Sequence, residues 1–269
     1  MTAVVALDLD QTTIYSATSA EPLDGAPTVW VEDHQGAPLS LMTVRAHQLL
    51  AALARRHTVL PVTTRTPEQL ARVRLPLPDG YAVACNGGVL LHGGARDAGW
   101  DARVRAELAT VAPASEAWEE LAGVADQPWV RSVRRVEELF VYLVAQDRSL
   151  IAPAWIAGLT EWGSRHGWGV SVQGRKTYLV PAPLRKGVAA QRVADLLGGP
   201  LLAAGDSLLD RDLLEAAAVS VRPRHGELQA QGWTCPGLVV TNRSGARAAE
   251  EVLEVLGAAA DRLAPSVAG

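Results

Sequence analysis

"VVALDLDQTT", residues 4–13, ends an apolar run in two aspartates separated by one leucine. Its β-branched and aliphatic residues read as a short buried strand. Asp8 and Asp10 stand two apart, so on a strand they point to the same side. Carboxylates at the end of a buried strand are costly to desolvate unless they are paired or bound to a cation. The stretch therefore predicts a positive partner between Asp8 and Asp10.

The rest of the chain supplies the frame. "HTVLPVTTR" and "YAVACNGG" are further short strands. Between them "TPEQLARVRL" reads as a helix with Thr66 as cap, Pro67 at its first position and Glu68 in its first turn. "TVWVEDH" and "APLSLM" flank a Gln-Gly turn and predict a hairpin. "TVRAHQLLAALARR" follows at helical spacing, with Thr43 as its cap. The last third repeats the rhythm: helix "KGVAAQRVADLLGG", strand "PLLAAGDS", helix "LLDRDLLEAAA", strands "VSVRP" and "LVVTN", and a long C-terminal helix. Helices alternating with short apolar strands predict an α/β, Rossmann-like core with a parallel sheet covered on both faces. The middle differs. Helical segments precede paired strands ("WVRSVRRV" with "LFVYLVAQ", "WGVSVQG" with "KTYLVP"), the pattern of an inserted α+β cap domain. The expected division is 1–92 and 180–269 for the core and 93–179 for the insertion.

Composition narrows the function. The chain has 269 residues, 48% of them hydrophobic, with a net charge of −4 and a pI near 5.9. That balance offers no footprint for nucleic acid or an anionic membrane. No run of residues approaches a membrane span, and the N-terminus lacks a signal-peptide pattern. Cys85 and Cys235 are too few for a disulfide framework and read as reduced thiols. A soluble, cytoplasmic monomer or homodimer is expected. The eight tryptophans read as packing anchors, and Arg131, Arg134 and Arg135 as a solvated strand face. The histidines show no metal-ligand spacing, and none is assigned a role.

In a parallel α/β sheet, ligands bind beyond the carboxyl ends of the strands. Four polar clusters fall there or open the next helix: Asp8/Asp10/Thr12, Thr63/Thr64/Arg65, Lys186, and Gly205-Asp206-Ser207 with Asp210. Carboxylates alone would hold a hard cation such as Mg²⁺. A lysine and hydroxyls beside them make a place for an anion that the cation also touches, and phosphate is the natural candidate. The chain has two lysines, Lys176 and Lys186, so a lysine at this point is informative.

These clusters, in this order, resemble the motifs of the haloacid dehalogenase-like phosphohydrolases. "DLDQT" resembles their first motif, "VLPVTTR" the second, "LRKG" the third and "GDSLLD" the fourth. "ACNGG" resembles a turn common in the branch with a large α+β cap between motifs two and three, which includes sugar phosphatases. The resemblance implies a Mg²⁺-dependent phosphatase acting on a small phosphorylated metabolite, a sugar phosphate or phosphorylated glycoside first. A nucleotide or phosphoribosyl monoester, a phosphomutase and a non-catalytic phospholigand-binding module are the alternatives. It implies Asp8 as nucleophile, Asp10 as general acid and base, and Thr63 and Lys186 as the other catalytic residues. Mg²⁺ would be held by Asp8, the Asp10 carbonyl, Asp206 and Asp210. Thr12, Thr64, Arg65, Asn86 and Gly87 are the expected substrate-binding residues. Two positions depart from the pattern: Thr64 replaces a glycine, and Leu209 replaces an asparagine, so that one polar contact to metal or phosphate is either missing or supplied from elsewhere, with Asp212 and Ser207 as candidates.

Overall fold

β1 (Val4–Asp8) is buried at all five positions, and the rest of the fold is arranged around it. A computed structural model describes residues 2–264. After β1 the chain forms a hairpin, β2 (Thr28–His34) and β3 (Ala37–Thr43). Then come α1 (Val44–Ala54), β4 (Thr58–Val62), α2 (Pro67–Leu70), β5 (Tyr81–Ala84), β6 (Val89–His92) and β7 (Ala95–Arg96). An inserted stretch holds α3 (Ala98–Leu108), α4 (Ala114–Ala122), β8 (Val130–Val136), β9 (Phe140–Ala145), α5 (Pro153–His166), β10 (Trp168–Gln173) and β11 (Lys176–Pro181). The chain then returns through α6 (Lys186–Leu197), β12 (Leu201–Ala204), α7 (Arg211–Ala216), β13 (Val219–Arg222), α8 (Gly226–Ala230), β14 (Leu238–Val240) and α9 (Ala246–Leu263).

Two compact units result: Met1–Asp97 with Arg185–Gly269, and Ala98–Leu184. The first is a mixed sheet in the order β14-β13-β12-β1-β4-β5-β6-β7. Strands β14 through β5 are parallel, while β6 and β7 are antiparallel additions at one edge. Those two edge strands are where the sequence reading falls short. The strand "YAVACNGG" does end in a turn, but the chain then runs back along β5 as β6, a strand that the sequence reading lacks. The core thus continues to Asp97 rather than residue 92, and the inserted unit reaches Leu184 rather than 179. That unit is a four-stranded antiparallel sheet, β10-β11-β9-β8, with α4 and α5 packed on it.

Local chemistry sets the element boundaries. Thr43 accepts a hydrogen bond from the Ala46 amide and caps α1. Thr66 and Gln69 form a capping box at α2. That helix ends at Leu70, shorter than the expected "TPEQLARVRL". Its would-be continuation, Arg72 and Arg74, turns instead toward Glu32 and Asp33 of the hairpin. α5 starts only at Pro153, because the residue before a proline is pushed out of the helical region. α9 buries Ala246, Ala249, Leu253, Leu256 and Ala260, a stripe at three- and four-residue spacing, against α1, β12 and β13.

β1 lies between β12 and β4. The chain leaves it in one direction for β4 and β5, and returns on its other side for β12 and β13. The carboxyl end of β1 is thus the topological switch point of the sheet, where an open α/β fold presents a crevice.

Candidate active site

The sequence clusters meet at that switch point. Register puts Asp8 opposite Val62, one residue before Thr63, and Leu7 opposite Ala204, two residues before Asp206. Beyond Asp8 the chain wraps tightly: the amides of Thr12, Thr13 and Ile14 all turn back to the Leu9 carbonyl, and Gln11 takes a left-handed φ of 63°. Thr13 Oγ1 donates to the Asp8 carbonyl at 2.7 Å, and Thr12 Oγ1 to Asp206 Oδ1 at 3.4 Å. Thr12 thus supports a carboxylate of the site, where the sequence reading had it touching substrate.

Lys186 opens α6 and is 1% exposed. Its Nζ lies 2.6 Å from Asp8 Oδ1 and 2.6 Å from Asp210 Oδ1. Burial opposes its charge, but the two carboxylates prevail and raise its pKa above the ordinary lysine value. Asp210 is bound at its other oxygen as well: Oδ2 accepts from the amides of Asp206 and Ser207 and from Ser207 Oγ at 2.8–3.1 Å. Asp210 therefore organises the loop that presents Asp206 and holds the lysine in place. Asp212 Oδ2 accepts from the Gly187 amide at 2.8 Å, capping α6, and burial pushes its pKa up to about 6. Asp212 thus has one oxygen on α6, and the Ser207 hydroxyl is on Asp210.

Asp8, Asp206 and Asp210 are all buried and offer ligand oxygens within 4.8 Å of one another. Burial pushes Asp8 up to about 7; Lys186 works against this and Asp210 adds to it. Burial, with Asp8 and Asp210 close by, likewise raises Asp206 well above the ordinary carboxylate range. Three buried carboxylates facing one ammonium leave a surplus of negative charge, and their all-oxygen donor set suits a hard divalent cation such as Mg²⁺. Two glycines make room for this packing. A Cβ on Gly205 would fall 2.4 Å from the Asp210 side chain. One on Gly226, whose φ is +85°, would fall 2.4 Å from Asp206 Oδ2.

Thr63 is buried, and its Oγ1 accepts from the Arg65 amide at 3.1 Å. Its carbonyl accepts from the Asn86 amide, which brings the Cys85-Asn86-Gly87 turn beside it. All three residues of that turn have positive φ, and a Cβ on Gly87 would meet the Arg185 carbonyl at 2.4 Å. Thr64 is half-buried between Thr63 and Arg65. Arg65, expected at the substrate, has its guanidinium bound to protein. Nε and Nη2 each donate to Asp10 at 2.8 Å, and Nη1 lies 2.8 Å from Glu32. Burial works against its charge, and the bonds to Asp10 and Glu32 overcome this and raise its pKa.

Glu32 is not singled out by the sequence, and His225 is assigned no role there. His225 Nε2 lies 2.7 Å from the Gln11 carbonyl, and its Nδ1 accepts from the Gly245 amide at 3.2 Å. That pattern requires the neutral Nε2–H tautomer, and burial lowers the ring's pKa in the same direction. The residue braces the left-handed Gln11 next to Asp10. The tryptophans of the inserted unit anchor packing, as Trp168 does by donating to the Ala112 carbonyl at 2.9 Å, and Arg131, Arg134 and Arg135 are exposed. No helix among the described residues is long and apolar enough to cross a membrane.

No family model matches the sequence, and no curated protein matches it significantly. Solved structures do match. A sucrose-phosphatase from Synechocystis sp., in complex with sucrose and phosphate, is 20% identical with a TM-score of 0.60, over 94% of this chain and 97% of that one. A trehalose-6-phosphate phosphatase related protein is 19% identical with a TM-score of 0.57, over 97% and 99%. A sugar phosphatase of haloacid dehalogenase subclass IIB is 10% identical with a TM-score of 0.59, over 95% and 99%. At these identities the shared property is the fold, that of the haloacid dehalogenase-like hydrolases, from end to end of the chain.

Proposed function

We propose that this chain, with its haloacid dehalogenase-like fold, is a phosphatase that hydrolyses a small phosphorylated metabolite through an aspartyl-phosphate on Asp8. The observation that carries the reading is the buried Asp8–Lys186–Asp210 chain of 2.6 Å contacts, with Asp206 beside it, at the switch point of the sheet. Such a cluster is expensive as structure alone and well suited to phosphoryl transfer, which needs a nucleophile, charge neutralisation and a proton donor.

Lys186 takes Asp8 Oδ1 and so turns the carboxylate, leaving Oδ2 to attack phosphorus. The bond from phosphorus to the leaving oxygen breaks as the Asp10 carboxyl gives that oxygen its proton. Water then attacks the aspartyl-phosphate, Asp10 takes the proton back, and phosphate leaves with Asp8 restored. Asp8, Asp206, Asp210 and the Asp10 carbonyl would hold Mg²⁺, which supplies neutralisation of charge between nucleophile and substrate. Thr63 and the amide that follows it would bind a phosphate oxygen, with Asn86 and Gly87 alongside. The substrate class we assign is a sugar phosphate or phosphorylated glycoside. It is supported by fold neighbours described as sucrose-phosphatase and as a subclass IIB sugar phosphatase. The inserted unit is proposed to choose the leaving group.

The test is phosphate release from sugar phosphates, nucleotides and phosphoglycerates, with and without Mg²⁺, beside Asp8→Asn. Turnover that needs the metal and falls by a factor on the order of 10⁴ or more in the variant is expected. Preference for nucleotides would move the substrate class. Tight phosphate binding without turnover would leave a binding module.

A further inference from the structure

Glu32 is fully buried, yet it belongs to neither the acid cluster nor the core sheet. It sits in β2 of the hairpin, where the β2–β3 register slips on both sides of it. Alternation would point Val31 and Glu32 to opposite faces; the irregularity turns both inward, the usual effect of a bulge. A buried carboxylate is tolerated only when its oxygens are met, and here they are. Ser40, its cross-strand neighbour, donates at 2.6 Å, Arg65 Nη1 lies at 2.8 Å, and Arg72 Nε donates at 3.4 Å. The remaining Arg65 nitrogens grip both oxygens of Asp10, whose side chain is 41% exposed, in a two-point pair that fixes the plane of the carboxyl. The hairpin is fastened to the site loop by paired backbone hydrogen bonds between Tyr15 and Leu41.

We propose that Glu32 is a positioning residue for the acid–base step, acting through Arg65 on Asp10. This rests on the phosphatase reading and adds a residue to it. When Asp10 gives its proton to the leaving oxygen it becomes a carboxylate, and Arg65 is already in place to receive it. Glu32 holds the guanidinium and the guanidinium holds the carboxyl, so Asp10 keeps one orientation through both proton transfers.

The readout is leaving-group dependence. Single-turnover release of p-nitrophenol from p-nitrophenyl phosphate needs little protonation of the leaving oxygen. Release of p-nitrobenzyl alcohol from the similarly sized p-nitrobenzyl phosphate needs a full proton. Both are followed with Mg²⁺ in the intact protein and in Glu32→Gln. Alcohol release is expected to fall about tenfold or more, within the range that general acids contribute, while phenol release stays within about twofold. In an Asp10→Asn background, Glu32→Gln should add nothing further. If Glu32→Gln does not fold, Ser40→Ala carries the same comparison, with a fall of about threefold in alcohol release alone. An equal loss on both esters, or none on either, overturns the proposal and leaves the phosphatase reading standing. An intact protein that turns over neither these esters nor any of the sugar phosphates, nucleotides and phosphoglycerates overturns both.

Discussion

A lysine with 1% exposure persists in a protein interior only if its charge is met. Lys186 is met twice, by Asp8 and Asp210 at 2.6 Å, so removing it strands two buried carboxylates. Lys186→Met should cost about 3–5 kcal/mol, the penalty for breaking a buried pair from one side, read by urea unfolding without metal. Asp8 supplies a second prediction. Burial lifts it from 3.8 to about 7, so between those values the folded state holds a proton that the unfolded chain has released. The metal-free protein should then lose stability as pH rises across that window. Divalent-cation binding must expel the same proton. Calorimetry should find Mg²⁺ affinity falling by about tenfold or more per pH unit below pH 7, since the raised Asp206 must give up its proton as well. Asp8, Asp10 and Asp206 were legible in the sequence because each is a carboxylate just at or past the end of an apolar strand, and Lys186 because it is one of two lysines and opens the helix before the Asp206 cluster. Glu32 and His225 were not. Glu32 looks like any polar strand residue until the register slip turns it inward, and His225 finds its Gln11 partner 214 positions away.

The loop that opens α8 shows what an element contributes. Leu228 donates its amide to the Asp206 carbonyl at 2.9 Å, and Glu227 accepts from the Leu208 amide at 3.0 Å. α8 therefore fixes the Asp206 loop from outside the motifs. Gly226→Ala forces a side chain into a left-handed position and against the Asp206 carboxylate. A loss of about 1–3 kcal/mol in stability is expected. A weaker response to Mg²⁺ in the same melting experiments should accompany it. At this scale the helices that carry their own caps, at Thr43 and Thr66, were readable in advance. β6 and β7 were not: two short strands set apart by a Gly93-Gly94 turn look like the tail of a loop until β5 gives them an edge to pair with.

For the molecule as a whole, a cation that binds only the folded site stabilises by mass action, about 2.7 kcal/mol at a hundred times its Kd. In a chain of this size that is a rise of about 5–10 °C in Tm. A calorimetric scan with saturating Mg²⁺ should show the rise in the transition of the unit that holds Asp8, Asp206 and Asp210, and Asp206→Asn should abolish it. Order of synthesis is a further consequence of β1 lying between β4 and β12. On the ribosome β4 is made soon after β1, but β12 follows only once the inserted unit has been translated, a delay on the order of ten seconds. Throughout that interval one side of a strand that is apolar up to its last residue has no neighbour, a hazard for pairing between nascent chains. Asp8, whose lysine lies 178 residues downstream, meets that hazard first as a bare charge: a gatekeeper of the growing chain before it is a member of a closed cluster.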